Sequence, residues 1–78
     1  MDEYNGYTLD CCYYQLSERD FKYLDAVLYL VDNKLSLRVA AENCLISKSS
    51  LHRFIRDELR SISYDLYGVV NKILLKNK

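Results

Sequence analysis

The chain has 78 residues, half of them apolar, and its 11 Lys and Arg balance 11 Asp and Glu for a net charge of zero. That length holds one core and excludes a second. The longest apolar run, Ala26 to Val31 between Asp25 and Asp32, is far short of the ~20 residues a membrane span needs. The start, Met1-Asp2-Glu3, lacks the basic first region of a secretion signal, so a soluble cytoplasmic protein with no membrane partner is expected.

The zero total hides a polarity. Residues 1–33 carry seven acids and two bases. Residues 34–60 carry Lys34, Arg38, Lys48, Arg53, Arg56 and Arg60 against Glu42, Asp57 and Glu58, and the remainder adds three lysines against Asp65. The first 33 residues hold −5 and the last 45 hold +5, which suits a protein with one basic face. Cys11 and Cys12 are adjacent and Cys44 stands alone. With no Cys-x-x-Cys pair and one His, the spacing of a zinc site is missing. Reduced thiols are expected, Cys44 as a small core residue, and no metal or cofactor.

Composition divides the chain into a tyrosine-rich acidic N-terminal segment, residues 1–17, and a helical domain, residues 18–78. The first holds Tyr4, Tyr7, Tyr13 and Tyr14, both adjacent cysteines and the turn signal Asn5-Gly6. Thr8 can cap a short helix through Leu16 with Leu9, Cys12, Tyr13 and Leu16 on one face. An arm draped on the domain fits equally well.

From Ser17 the pattern is helical. Ser17 reads as an N-cap with Asp20 three residues on, and Glu18 and Asp20 suit the positive helix end. Phe21, Leu24, Val27, Leu28 and Val31 form one apolar stripe, and Asn33 is the expected stop. Ser36 caps a short helix through Asn43 with Leu37, Ala40, Ala41 and Cys44 inward. Ser47 caps the next, to about Leu59, with Leu51, Phe54, Ile55 and Leu59 buried. Ser63 caps the last, whose stripe is Leu66, Val69, Val70, Ile73 and Leu74; Lys72 and Lys76 suit its negative end. The spacing predicts an all-α fold: a small helical bundle of four helices, with or without a short extra N-terminal one, containing a helix-turn-helix. Tyr29 and Tyr67 are expected in its core.

Leu35 to Arg56 carries the functional signal: short helix, three-residue turn, Ser cap, second helix. Ala41 is small where the helices cross, Ile46 fills the wedge between them, and Leu51 and Ile55 anchor the second helix. Its opposite face presents Lys48, Ser49, His52, Arg53 and Arg56, side chains that can hydrogen-bond base edges or reach phosphates. An ordinary amphipathic helix with a solvated polar face fits the spacing as well.

The same stretch resembles the stage III sporulation protein D family of small bacterial helix-turn-helix transcription factors. The resemblance runs from about Tyr29 to Ile73 and is densest from Ser36 to Arg53, at Arg38-Val39, Ala41, Ser47-Lys48-Ser49 and His52-Arg53. A second block, Glu58-Leu59 through Ile62, Asp65-Leu66, Val70 and Lys72-Ile73-Leu74, is similar to the family's following helix. The resemblance implies sequence-specific binding of double-stranded DNA with the Ser47–Leu59 helix in the major groove. Lys48, Ser49, His52 and Arg53 would read bases, and Arg38 would contact a phosphate. The family's turn carries Gly where this chain has Leu45, and a left-handed Leu there would cost on the order of 1 kcal/mol.

An enzyme is not expected. Cys11, Cys12 or Cys44 would have to pair with His52, which no carboxylate is placed to orient, and there is no glycine-rich phosphate loop. No catalytic residue and no small-molecule substrate is assigned. The competing function is a protein-binding helix-turn-helix module, a phage-type inhibitor or anti-repressor that does not bind DNA. Its partner would dock on the tyrosine-rich N-terminal segment, since Tyr buries much area at low entropic cost.

Overall fold

The structure, a computed structural model, describes residues 3–76. The sequence readings of Met1, Asp2 and Lys78, and of the side chain of Tyr13, lie outside the described part. Four helices and a short hairpin build the all-α domain.

The first helix, α1 (Glu18–Asn33), starts on the expected capping box. Ser17 Oγ accepts from the Asp20 N–H at 3.2 Å, and the Asp20 carboxylate accepts from the Ser17 N–H at 3.0 Å. Leu24, Val27 and Leu28 of the stripe are buried, while Phe21 and Val31 form its half-buried edges. Ala26 and Leu30, off the stripe, are also fully buried. The buried face is wider than a single stripe because α1 packs against several other elements.

The stop differs from expectation by one residue. Lys34, not Asn33, takes the left-handed conformation, with φ 51°. The Leu35 N–H donates to the Leu30 carbonyl at 2.9 Å and the Lys34 N–H to Val31 at 3.3 Å, the paired bonds of a Schellman ending. Asn33 instead donates its side-chain amide to the Tyr29 carbonyl, so it satisfies a helix-end acceptor from within the last turn.

Helix α2 (Leu37–Asn43) is capped by Ser36, and its Ala40 and Ala41 are sealed in the core. It ends in the same way as α1. The Ile46 N–H donates to Ala41 at 2.9 Å, the Leu45 N–H to Glu42 at 3.3 Å, and Leu45 takes φ 57°. Ile46 is half-buried against the core, as a wedge between helices should be.

Helix α3 (Lys48–Arg53), capped by Ser47, continues unbroken through a π-helical stretch, Phe54–Leu59, and a last turn, α4 (Arg60–Ile62). It therefore runs three residues beyond the expected end at Leu59. Leu51, Ile55, Leu59 and Ser63 are buried at intervals of four. A 3.6-residue period would drift such a row out of the core, and the wider π turn counters the drift. Leu59 stays fully buried while the Glu58 side chain remains 41% exposed.

The last helix, α5 (Tyr64–Lys76), has buried Ser63 before it, whose Oγ accepts from the Leu66 N–H at 3.2 Å. Leu66 and Val70 are fully buried, and Val69, Ile73 and Leu74 are half-buried. Tyr67 is half-buried, but Tyr29, expected in the core, is 40% exposed. Tyr29 lies on the outer side of α1, where Leu28 and Leu30 already fill the inner one.

The N-terminal segment forms no helix from Thr8 to Leu16. Strands β1 (Glu3–Tyr4) and β2 (Tyr7–Thr8) pair antiparallel across Asn5-Gly6, with Tyr4 opposite Tyr7. Both turn residues have positive φ, 50° and 87°, the requirement of a two-residue hairpin turn with right-handed twist. Leu9 follows and is buried in the core, and a 3-10 turn (Tyr13–Gln15) leads to α1. The draped-arm alternative is the one realised. Its anchors explain why: the Asp10 N–H donates to the Ile62 carbonyl at 2.8 Å, and the Asp10 carboxylate accepts from the Tyr64 N–H at 2.8 Å. Helical backbone through Asp10 would forfeit both.

Candidate nucleic-acid interface

Two caps and one clamp position the surface of interest. Ser36 and Ser47 fix where α2 and α3 begin, and the Ser47 hydroxyl is engaged by the helix itself, accepting from the Ser50 N–H at 3.1 Å and donating to Ser50 Oγ at 2.7 Å. Ser47 therefore serves the helix, leaving the following residues to face outward. At the π-helical stretch, Phe54 stacks on Tyr23 of α1 at 5.0 Å between centroids and 17° between planes. The Arg19 guanidinium lies 4.9 Å over the other part of that stack, the Tyr23 ring, and reaches Glu58 at 3.7 Å. Cation, two rings and carboxylate thus hold the second half of the helix against α1.

Lys48, Ser49, His52 and Arg53 are all exposed on α3, and Arg56 is exposed on the π-helical stretch. Leu37, Lys48, Ser49 and His52 line one shallow cleft, which joins the start of α2 to α3. Ser49, Ser50 and Arg53 line a second beside it. The structure thus brings Lys48, Ser49, His52 and Arg53 onto one continuous surface. Leu37, expected to face inward, is half-buried and contributes to the first cleft.

Arg38 stands apart from this group on α2, where its Nε meets Glu42 at 3.3 Å with both side chains mostly exposed. Arg56 is tied to its neighbour Asp57 by two bonds of 3.0 and 3.3 Å. The hydrogen bond from Arg56 holds the Asp57 carboxyl below the usual range, with the charges of Arg56, Arg53 and His52 adding to it. The same bond raises the already high pKa of Arg56. Asp57 thus senses the field of its neighbours Arg53 and His52 as well as that of Arg56. Among the described residues Lys48 and Arg53 have no ion-pair partner. Exposed Arg60, four residues beyond Arg56, lengthens the basic row and was outside the sequence reading of the site.

Among the described residues no group of three His, Cys, Asp or Glu gathers to hold a metal, and no helix is long and apolar enough to cross a membrane.

The model of one protein family, stage III sporulation protein D, matches residues 16–78. The chain belongs to the stage III sporulation protein D family. No curated protein and no solved structure matches the chain. The stage III sporulation protein D family is one of DNA-binding regulators of sporulation, not of enzymes, and the broad role of the chain is transcription regulation. The match takes in all four helices and leaves out the hairpin, Leu9 and Asp10.

Proposed function

We propose that the chain binds double-stranded DNA sequence-specifically, with the Ser47–Leu59 helix in the major groove. The observation that carries this reading is the exposed face of α3. Lys48, Ser49, His52 and Arg53 stand there together, and among the described residues neither of the two cations is held in a salt bridge. Lys48, Ser49, His52 and Arg53 meet base edges from the N-terminal half of the helix, where a helix-turn-helix reads sequence. Arg38 and Arg56 contact phosphates, exchanging Glu42 and Asp57 for the backbone. Both pairs are exposed, so releasing them costs little. A regulator of this kind works where the chromosome is, in the cytoplasm.

Fluorescence anisotropy with a pool of random duplexes at low and moderate salt tests the proposal. Binding that weakens steeply as salt rises is expected, because each neutralised phosphate releases about 0.9 of a counterion. Absence of binding even at low salt overturns it.

The competing reading, a protein partner on the tyrosine-rich segment, finds less support. Tyr4 packs on Phe21 with 6.0 Å between centroids and hydrogen-bonds Asp25, and Tyr7 is half-buried against the core. These rings serve the domain itself. Tyr14, at 83% exposure, remains as an exposed ring of that segment.

A further inference from the structure

Leu45 carries two unfavourable features at once. Its φ of 57° lies in the left-handed region that strains a residue with a Cβ. Its side chain is 88% exposed, so its apolar surface gains nothing from the core. The turn itself does not need that side chain. Its bonds run from backbone N–H groups, and its apolar contact is supplied by the next residue, half-buried Ile46. The comparison with Lys34 sharpens the point. Lys34 has the same conformation at the end of α1, but its exposed side chain is charged and well hydrated.

The left-handed backbone closes the turn, but a leucine there, in place of a residue without Cβ, is a strain with no return of its own, and such strain is a feature of functional positions. The location of Leu45 says which function. It lies two residues before Ser47, the cap at the groove-entering end of α3. Two residues of extended chain span about 7 Å at most. Successive base pairs are about 3.4 Å apart, so Leu45 lies no more than about two base-pair steps from the cap of the helix that carries Lys48 and Ser49. The major groove offers one apolar feature to an aliphatic side chain, the C5-methyl group of thymine.

We propose that Leu45 is a specificity-determining residue, which reads the C5-methyl group of a thymine at the edge of the bound site. The inference rests on the DNA-binding reading above and adds a base preference to it.

The test uses the full chain and its preferred duplex, selected from random sequence. Each thymine of that duplex is replaced in turn by uracil, which removes the methyl group and no hydrogen-bonding atom. The unaltered chain is expected to lose about fourfold in affinity at one such position, the worth of one buried carbon. Leu45→Gly is expected to bind the thymine and uracil forms of that position equally. This variant relieves the strained turn, so its melting temperature should rise, and a lost preference cannot come from unfolding. If the unaltered chain binds the duplex but ignores every uracil, or if Leu45→Gly keeps the same discrimination, the proposal is overturned and the exposed Leu is a contact for another protein. If no duplex is bound at low salt, the DNA-binding reading fails first and this inference falls with it.

Discussion

Ser63 and Thr8, 55 positions apart, are joined by a 2.6 Å bond in which the Ser63 hydroxyl donates to the Thr8 carbonyl. The same oxygen accepts from the Leu66 N–H, so one buried hydroxyl both starts α5 and holds the N-terminal arm. Ser63→Ala removes the cap and leaves a carbonyl without its partner. A loss of about 1–3 kcal/mol is expected in urea unfolding. Ser63→Thr, which keeps the hydroxyl, tests whether the added methyl group fits this closed site, and a net loss is expected from overpacking.

Leu9 is 2% exposed although it belongs to a segment with no regular pattern of its own. Leu9→Ala should cost about 2–5 kcal/mol, as truncation of a fully buried Leu does. Equilibrium denaturation measures it. A change below half a kcal/mol would mean that the arm is not docked in solution.

Lys34 is strained by the same left-handed conformation as Leu45. Lys34→Gly should stabilise the domain by roughly 0.5–1 kcal/mol, since the relief of the Cβ exceeds the added entropy of the unfolded chain. The thermal midpoint is expected to rise by a few degrees for a domain of this size.

Arg53→Ala should weaken binding to the preferred duplex by about 1–3 kcal/mol and change nonspecific binding far less, if Arg53 reads a base. Lys72, exposed on α5, serves as the contrast. Lys72→Ala should lower affinity for all sequences alike or leave it unchanged. An Arg53 variant with an unaltered ratio of specific to nonspecific affinity would remove that residue from the reading face.

In the proposed complex Asp57 would compete with the DNA backbone for Arg56, its partner at 3.0 Å in the free protein. Asp57→Asn is expected to tighten binding to every duplex and to steepen the salt dependence by about one phosphate contact. Its effect on stability should be close to nil, because the pair lies in solvent. The sign with pH follows from the lowered carboxyl pKa. Whatever stability the pair lends is present above the ordinary carboxylate pKa and fades as pH falls through the lowered one. Lowering pH through that range should therefore mimic Asp57→Asn in duplex binding, and the variant itself should not respond to Asp57 protonation. Titrations of both proteins at matched ionic strength read the difference.

The helices were legible because their starts are chemical. Ser17, Ser36, Ser47 and Ser63 each precede an apolar row and each accepts a backbone N–H in the structure. The stops were harder, since a left-handed Lys34 looks like any other lysine in sequence. The arm was not legible as a hairpin: two-residue strands have no period to detect, and Leu9 fitted a helical face with Cys12, Tyr13 and Leu16 as well as it fitted an arm. Its pairing with Ile62 and Tyr64 is a matter of tertiary distance, which no local pattern encodes. At the candidate site, the placement of Lys48, Ser49, His52 and Arg53 followed from helical period. The engagement of Arg38 with Glu42 at four residues was available from the same period, and that of Arg56 with adjacent Asp57 depended on side-chain conformation.

The anchoring of Leu9 and Asp10 fixes an order of assembly. During synthesis these residues emerge first, and the partners of the arm, from Ile62 to Asp65, leave the ribosome more than fifty residues later. Until then the helix-turn-helix can form from its local contacts, while Leu9 waits in water and α5 does not yet exist. Closing so long a loop is slow compared with winding the helices. The arm can therefore dock on the nascent domain only after the start of α5 has emerged.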